Sequence, residues 1–200
     1  MAAQRRAGRL DAAWFDRPAV SVARDLLGTR LVHDSVDGLV AGRIVETEAY
    51  AGPEDLAAHS ARGRTPRNAV MFGPPGHAYV YLIYGIHHCL NVVCGPGDKP
   101  EAVLIRAVSI DEGRDVARRR RGAAVADERL AAGPGNVTAA FGIDRTDNGR
   151  DLRAGALRLE LGAHTAGVVA RPRIGVAYAG EWATLPWRFL VRGDRHVSRA

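Results

Sequence analysis

The chain has 200 residues, 46% of them hydrophobic, and no low-complexity linker divides it, so one domain with one ordinary core is expected. Its 28 Lys+Arg against 22 Asp+Glu give a formal net charge of +6, which favours a polyanionic partner such as nucleic acid, although an arginine-rich coding bias would raise the charge equally. No apolar run reaches membrane-spanning length and MAAQRRAGRLDAAW carries no signal-peptide core, so no membrane association and a cytoplasmic location are expected, with residues 1–12 a candidate for disorder.

Asp16, Pro18 and the periodic AVSVARDLLG predict a helix over residues 18–27 with an acidic N-cap and Gly28 as its stop. TRLVHD, an Asp37-Gly38 turn and LVAGRIVETEAY predict a β-hairpin whose second strand puts Glu46, Glu48 and Tyr50 on one face. Residues 51–76 are too irregular for a strand and long for a connector, which marks a functional or disordered loop. HAYVYLIYG and HHCLNVVCG read as a second hairpin, and AVLIRAVS as a strand with Leu104 and Arg106 on one face. DVARRRR and ADERLAA look helical, GPG at 133–135 breaks the chain, and NVTAAFG opens a further short helix. ALRLELG, VARPRIGVAYAG and PWRFLVRG read mainly as strand. The expected fold class is α+β, a mostly antiparallel sheet with helices around it.

Cys89 and Cys94 have neither zinc-knuckle nor C-x-x-C spacing and are read as reduced, small apolar residues. Neither GxxxxGK[ST] nor GxGxxG occurs, which argues against nucleotide-hydrolysing and dinucleotide-binding classes. In ETEAY two carboxylates stand at a strand end beside the long loop: either a solvated face, or a mouth where burial tunes an acid or base. Arg106 interrupts an apolar strand and must reach a carboxylate or a polar cavity, because burying it unpaired is costly. A Glu48–Arg106 pairing would meet that need and keep Glu48 ionised, and a purely structural ion pair would meet it equally. Glu46, Glu48, Asp55, His59, His87 and His88 are all metal-ligand types, but none has the spacing of H-E-x-x-H or of the zinc-deaminase signature; no metal and no cofactor are expected.

RIVETEAYAGPEDLAAHS, GRTPRNAVMFGPPGHAYVYLIYGIHHCLNVV, AVLIRAV, PRIGVAYAG and the late PWRF resemble the alkyladenine (3-methyladenine) DNA glycosylase family, over residues from about 23 to near the C-terminus. The resemblance implies a curved antiparallel sheet with a protruding, DNA-inserting β-hairpin. It implies a monofunctional hydrolase of base excision repair that flips alkylated or deaminated purines out of duplex DNA. 3-Methyladenine would be the substrate, with 7-methylguanine, hypoxanthine and ethenoadenine as further candidates. By motif, Glu48 would be the general base for the attacking water, and Arg106 would hold water and carboxylate. Tyr50, His59 and Tyr81 would line the base pocket, Asn91 would crowd the 2-amino group of guanine, and Tyr84 would insert into the DNA.

The physical logic is consistent with that implication. A base must leave the stack before its glycosidic bond is reachable, and a rigid aromatic at a hairpin tip suits the vacated space. A cationic alkylated purine gains attraction between aromatic faces that a normal base lacks. By parity Tyr81 shares a side with Tyr79 and is expected to lie deeper toward the pocket, with Tyr79 a core residue and Tyr84 at the turn. Lys99, the sole lysine, lies in a turn, which argues against a Schiff-base lyase step. The expected partner is double-stranded DNA containing damaged purines, bound by a monomer. Asn136 follows GPG where many family members carry a lysine or arginine, so a cationic contact is missing there. The run Arg118 to Arg121 reads either as a phosphate track or as a solvated helix face. A non-catalytic binder of damaged DNA and a metal-dependent hydrolase are the competing functions.

Overall fold

The computed structural model describes residues 10–97, 99–162, 165 and 167–198. The predicted disorder of residues 1–12 falls largely outside these. Leu10, however, is buried, and a short helix, α1 (Ala12–Phe15), starts at an Asp11 cap that accepts the Trp14 N–H, so order begins before residue 12.

Helix α2 (Ala19–Asp25) is shorter than predicted, and its N-terminus is not capped by Asp16. Pro18 occupies the cap position and offers no side-chain acceptor; Glu101 reaches across and accepts the Ala19 N–H instead, while Asp16 accepts from Gly97 N. The first hairpin forms as expected from β1 (Arg30–Ser35) and β2 (Gly38–Tyr50), and the second from β3 (Ala78–Ile83) and β4 (His87–Cys94). Strand β5 (Glu101–Glu112) leads into α3 (Arg114–Arg121), and after it come α4 (Pro134–Phe141), β6 (Leu157–Glu160), β7 (Val168–Arg171) and β8 (Arg188–Val191).

Three further predicted elements differ. ADERLAA forms only a 3-10 turn, Asp127–Arg129, because residues 131–133 run extended along β5: Val108 N donates to Ala131 O, Gly133 N to Arg106 O, and Ala107 bridges Ala132. The helix expected to open at Asn136 starts two residues earlier, inside GPG: Gly133, at φ 111°, is the N-cap and Pro134 the first helical residue, a position where proline lacks nothing the helix needs. VARPRIGVAYAG is strand only through Arg171, then turns irregular and ends in a 3-10 segment, Ala177–Ala183.

The strands form one antiparallel sheet in the order β3-β4-β5-β2-β1-β6, with β8 paired to both β2 and β7. The architecture is α+β in a single domain. Pairing of β2 with β5 shifts register at three points. After Ile44↔Val108 the next pairs are Glu46↔Ala107 and Thr47↔Ile105, so first Val45 and then Arg106 is left without an opposite residue. Such bulges bend a strand and re-aim its side chains. Gly42, at the first shift, could carry no side chain: a Cβ there would lie 2.4 Å from Ser109 O.

The bent sheet has two unlike faces. On one, Leu90, Val92, Val103 and Ile105 join α2 and α4 in the main core, and Thr47 donates its hydroxyl proton to Ala23 O in α2. The other face carries Glu48, Leu104, Asn91 and Tyr79, each the cross-strand partner of the next from β2 through β5 and β4 to β3. Cross-strand partners point the same way. Four chain segments thus deliver one row of side chains. No helix among the described residues is long and apolar enough to cross a membrane.

Candidate active site

That row is the floor of a cavity of about 510 Å³, whose walls come from the 51–76 loop, the β3–β4 hairpin, the start of α4 and residues 174–178. The volume lies within the usual range for small-molecule sites.

Glu46 and Glu48 are both fully buried, and the structure separates them. Glu46 does not line the cavity. Its carboxylate accepts from Arg106 Nε (3.2 Å), Arg188 Nη1 (3.0 Å) and the Ser198 N–H (2.8 Å), so its lone pairs are spent on the protein. Glu48 does line the cavity, with Oε1 accepting from the Ile174 N–H at 2.8 Å and Oε2 from the Tyr50 hydroxyl at 2.9 Å. Arg106 Nη1 stands 3.4 Å from Glu48 Oε1. Arg106 is therefore held mainly by Glu46 and by the Ser198 hydroxyl (3.3 Å from Nη2), with one arm turned toward Glu48. Burial alone would lower the guanidinium pKa, but the charges of Glu48 and Glu46 outweigh it and raise the value. Burial and the Glu48 charge push Tyr50 well above the ordinary phenol value, so it stays a proton donor to Glu48.

The aromatic wall is built around His59. Its Nδ1 shares a 2.8 Å hydrogen bond with the Tyr79 hydroxyl, and its ring meets Tyr81 edge-on at 4.6 Å between centroids. Burial, then the nearby Arg67 charge, lowers the His59 pKa, so the ring is neutral near pH 7. Asn68 shapes the loop by donating to the His59 and Gly63 carbonyls. Tyr79, read as core, is the deeper tyrosine: it is buried and lines the cavity, while Tyr81 is only half-buried nearer the mouth. The depth order of the two is thus the reverse of the parity reading. Burial raises the Tyr79 pKa to about 12 and that of Tyr81 higher still, so both rings remain neutral donors. Asn91 is buried, and its amide donates to Tyr79 O at 3.2 Å, which fixes its orientation on the floor.

Tyr84 sits at the hairpin turn, 85% exposed, and is the sole non-glycine with positive φ (54°) among the described residues. Ile86 beside it is also exposed. Asn136 does not project as a cation would; its amide donates to Ala132 O at the head of α4. The Arg118 to Arg121 run is occupied: Arg118 pairs with Asp127, Arg119 with Asp115, Arg120 with Asp37, and Arg121 donates to Leu130 O. The potential metal ligands do not converge; among the described residues no group of three or more His, Cys, Asp or Glu could hold an ion. Both cysteines are free and buried, Cys89 against the cavity.

Several contributors carried no signal in the linear sequence. The Ile174 N–H, Arg188 and Ser198 come to the two glutamates from 126 to 152 positions away. Tyr79 could have been found from the strand pairing, since it lies opposite Asn91.

The methylpurine-DNA glycosylase family model matches residues 13–195. A Methanocella arvoryzae protein provisionally named 3-methyladenine DNA glycosylase is 50% identical over 187 residues, 93% of this chain and 94% of its own. Equally named proteins of Anaeromyxobacter dehalogenans and Streptomyces avermitilis are 51% and 47% identical, over 96% and 92% of this chain and 87% and 88% of theirs. With the match running through nearly every element of the sheet and both sides of the cavity, the chain belongs to the methylpurine-DNA glycosylase family, hydrolases that act on DNA.

Proposed function

We propose that the chain is a monofunctional purine glycosylase of base excision repair, with Glu48 as general base. The observation that carries this reading is the state of Glu48: fully buried, on the cavity floor, and oriented by the Tyr50 hydroxyl and the Ile174 N–H with Arg106 alongside.

A damaged purine, 3-methyladenine first, rotates out of the duplex into the cavity and stacks among Tyr50, His59 and Tyr81, while Tyr84 fills the gap in the helix. Water attacks C1′ as the bond to the purine nitrogen breaks. The bonding electron pair leaves with the base, neutralising the charge of an alkylated ring, and the water proton passes to Glu48. The carboxylate also opposes positive charge developing on the sugar. Asn91 crowds the 2-amino group of guanine. Lys99 is engaged by Glu54 and Glu101 and does not line the cavity, which supports hydrolysis without a lyase step. The enzyme acts as a monomer, in the cytoplasm on its host's DNA.

Duplexes bearing one lesion each, 3-methyladenine, 7-methylguanine, hypoxanthine or ethenoadenine, test the reading. Free base should appear from the 3-methyladenine duplex, with strands intact until alkali is added. Intact lesions throughout would contradict it, and strand breaks before alkali would contradict the monofunctional part.

A further inference from the structure

Behind the cavity wall lies an ion pair between two side chains with no solvent exposure, Asp55 and Arg173. Arg173 Nη1 donates to Asp55 Oδ2 and to Ala49 O; Nη2 donates to Asp55 Oδ1 and to Trp182 O. All four terminal protons are thus used, while Nε is left without an acceptor among the described residues. Asp55 in turn accepts the Ala51 and Ala57 N–H groups, and the guanidinium carbon lies 4.9 Å from the Tyr50 ring centroid and 5.1 Å from that of Trp187.

What these contacts join is specific. Ala49 lies between Glu48 and Tyr50. Ala57 precedes His59 by two positions, and Arg173 is followed directly by Ile174, whose N–H holds Glu48 Oε1. One side chain therefore ties the end of β2, the loop leading to His59 and the segment that orients the carboxylate, and it packs on the ring whose hydroxyl holds the other carboxylate oxygen. For stability alone such a pair is a poor choice, since well-packed apolar residues do as well. Apolar residues could not fix four acceptors in a planar fork.

We infer that Asp55 and Arg173 are a positioning pair for the reaction: they set the Glu48 carboxylate and the Tyr50 ring relative to the flipped sugar. The inference rests on the glycosylase reading above. A small misplacement of reacting groups costs about 100-fold in rate.

The test uses the full-length Asp55→Asn/Arg173→Met double variant, which leaves neither charge uncompensated. Three quantities are measured: thermal unfolding, affinity for a duplex carrying a tetrahydrofuran abasic analogue, and single-turnover release of 3-methyladenine with enzyme in excess. The expected result is a release rate per folded molecule about 30-fold below wild type, with abasic-analogue affinity within threefold because the hairpin is untouched. A fall of less than tenfold overturns the inference and leaves the pair a purely structural one. If the double variant does not fold, Arg173→Lys, which keeps the charge and loses the fork, is read against the same limits. Absence of release by the wild-type protein would overturn the glycosylase reading itself, and the pair's role with it.

Discussion

Glu46 and Glu48 stand two positions apart on β2, both without solvent exposure, and yet they face different tasks. Glu46 compensates two arginines and the Ser198 peptide; among the described residues Glu48 is bonded only by a hydroxyl and a peptide N–H, with Arg106 at longer range. The first is a structural carboxylate and the second one left available to a ligand. Glu46→Gln should therefore destabilise the fold by about 3 kcal/mol, since it uncovers buried guanidinium charge. Urea unfolding reads this directly as a lowered midpoint with unchanged slope; a midpoint equal to wild type would contradict the assignment. From the sequence alone the two carboxylates were equivalent by parity, and Glu48 was singled out by its expected pairing with Arg106 and by the family resemblance. The distinction is made by donors from β8 and the C-terminal segment, which no local pattern announces.

Among the elements, the β3–β4 hairpin was the most legible, because alternating apolar residues flank a turn with a glycine and the pairing is local. Its tip shows where a local rule is broken. Tyr84 adopts φ 54°, a left-handed conformation that costs an ordinary residue about 1–2 kcal/mol, and its ring is 85% exposed, so no packing offsets the strain. In the proposed function this strained, exposed aromatic is the side chain that enters the DNA. Tyr84→Gly should hold or raise the melting temperature and lower single-turnover excision by at least tenfold. Loss of both stability and activity together would mean that the ring serves the fold. Other elements were hidden by tertiary pairing. Residues 131 and 132 abandon their helical composition to run along β5, and the bulges that leave Val45 and Arg106 unopposed are decided by how β2 fits β5, not by either strand alone. The arginine run on α3 was legible as a helix, and the acidic partners of three of its members, Asp127, Asp115 and Asp37, come from the turn after it, its own first turn and the β1–β2 turn.

The molecule as a whole is one sheet used on both sides, with helices and core on one and a cavity on the other. The row Tyr79, Asn91, Leu104, Glu48 crosses four strands, and its alignment follows from the β4–β5 register, a non-local quantity that a single sequence does not carry. Fold class was legible because strand and helix periodicities are local. The site was legible chiefly through long motif blocks, and its supporting cage hardly at all. The central claim is that this cage presents the Glu48 carboxyl group to water at C1′. Single-turnover release of 3-methyladenine from a duplex by wild type and by Glu48→Gln tests it most directly. The account predicts release by the wild type and a rate lower by about 10² to 10⁴ in the variant, the range expected for loss of a general base, with binding to the lesion duplex retained. Release by Glu48→Gln at the wild-type rate would contradict it.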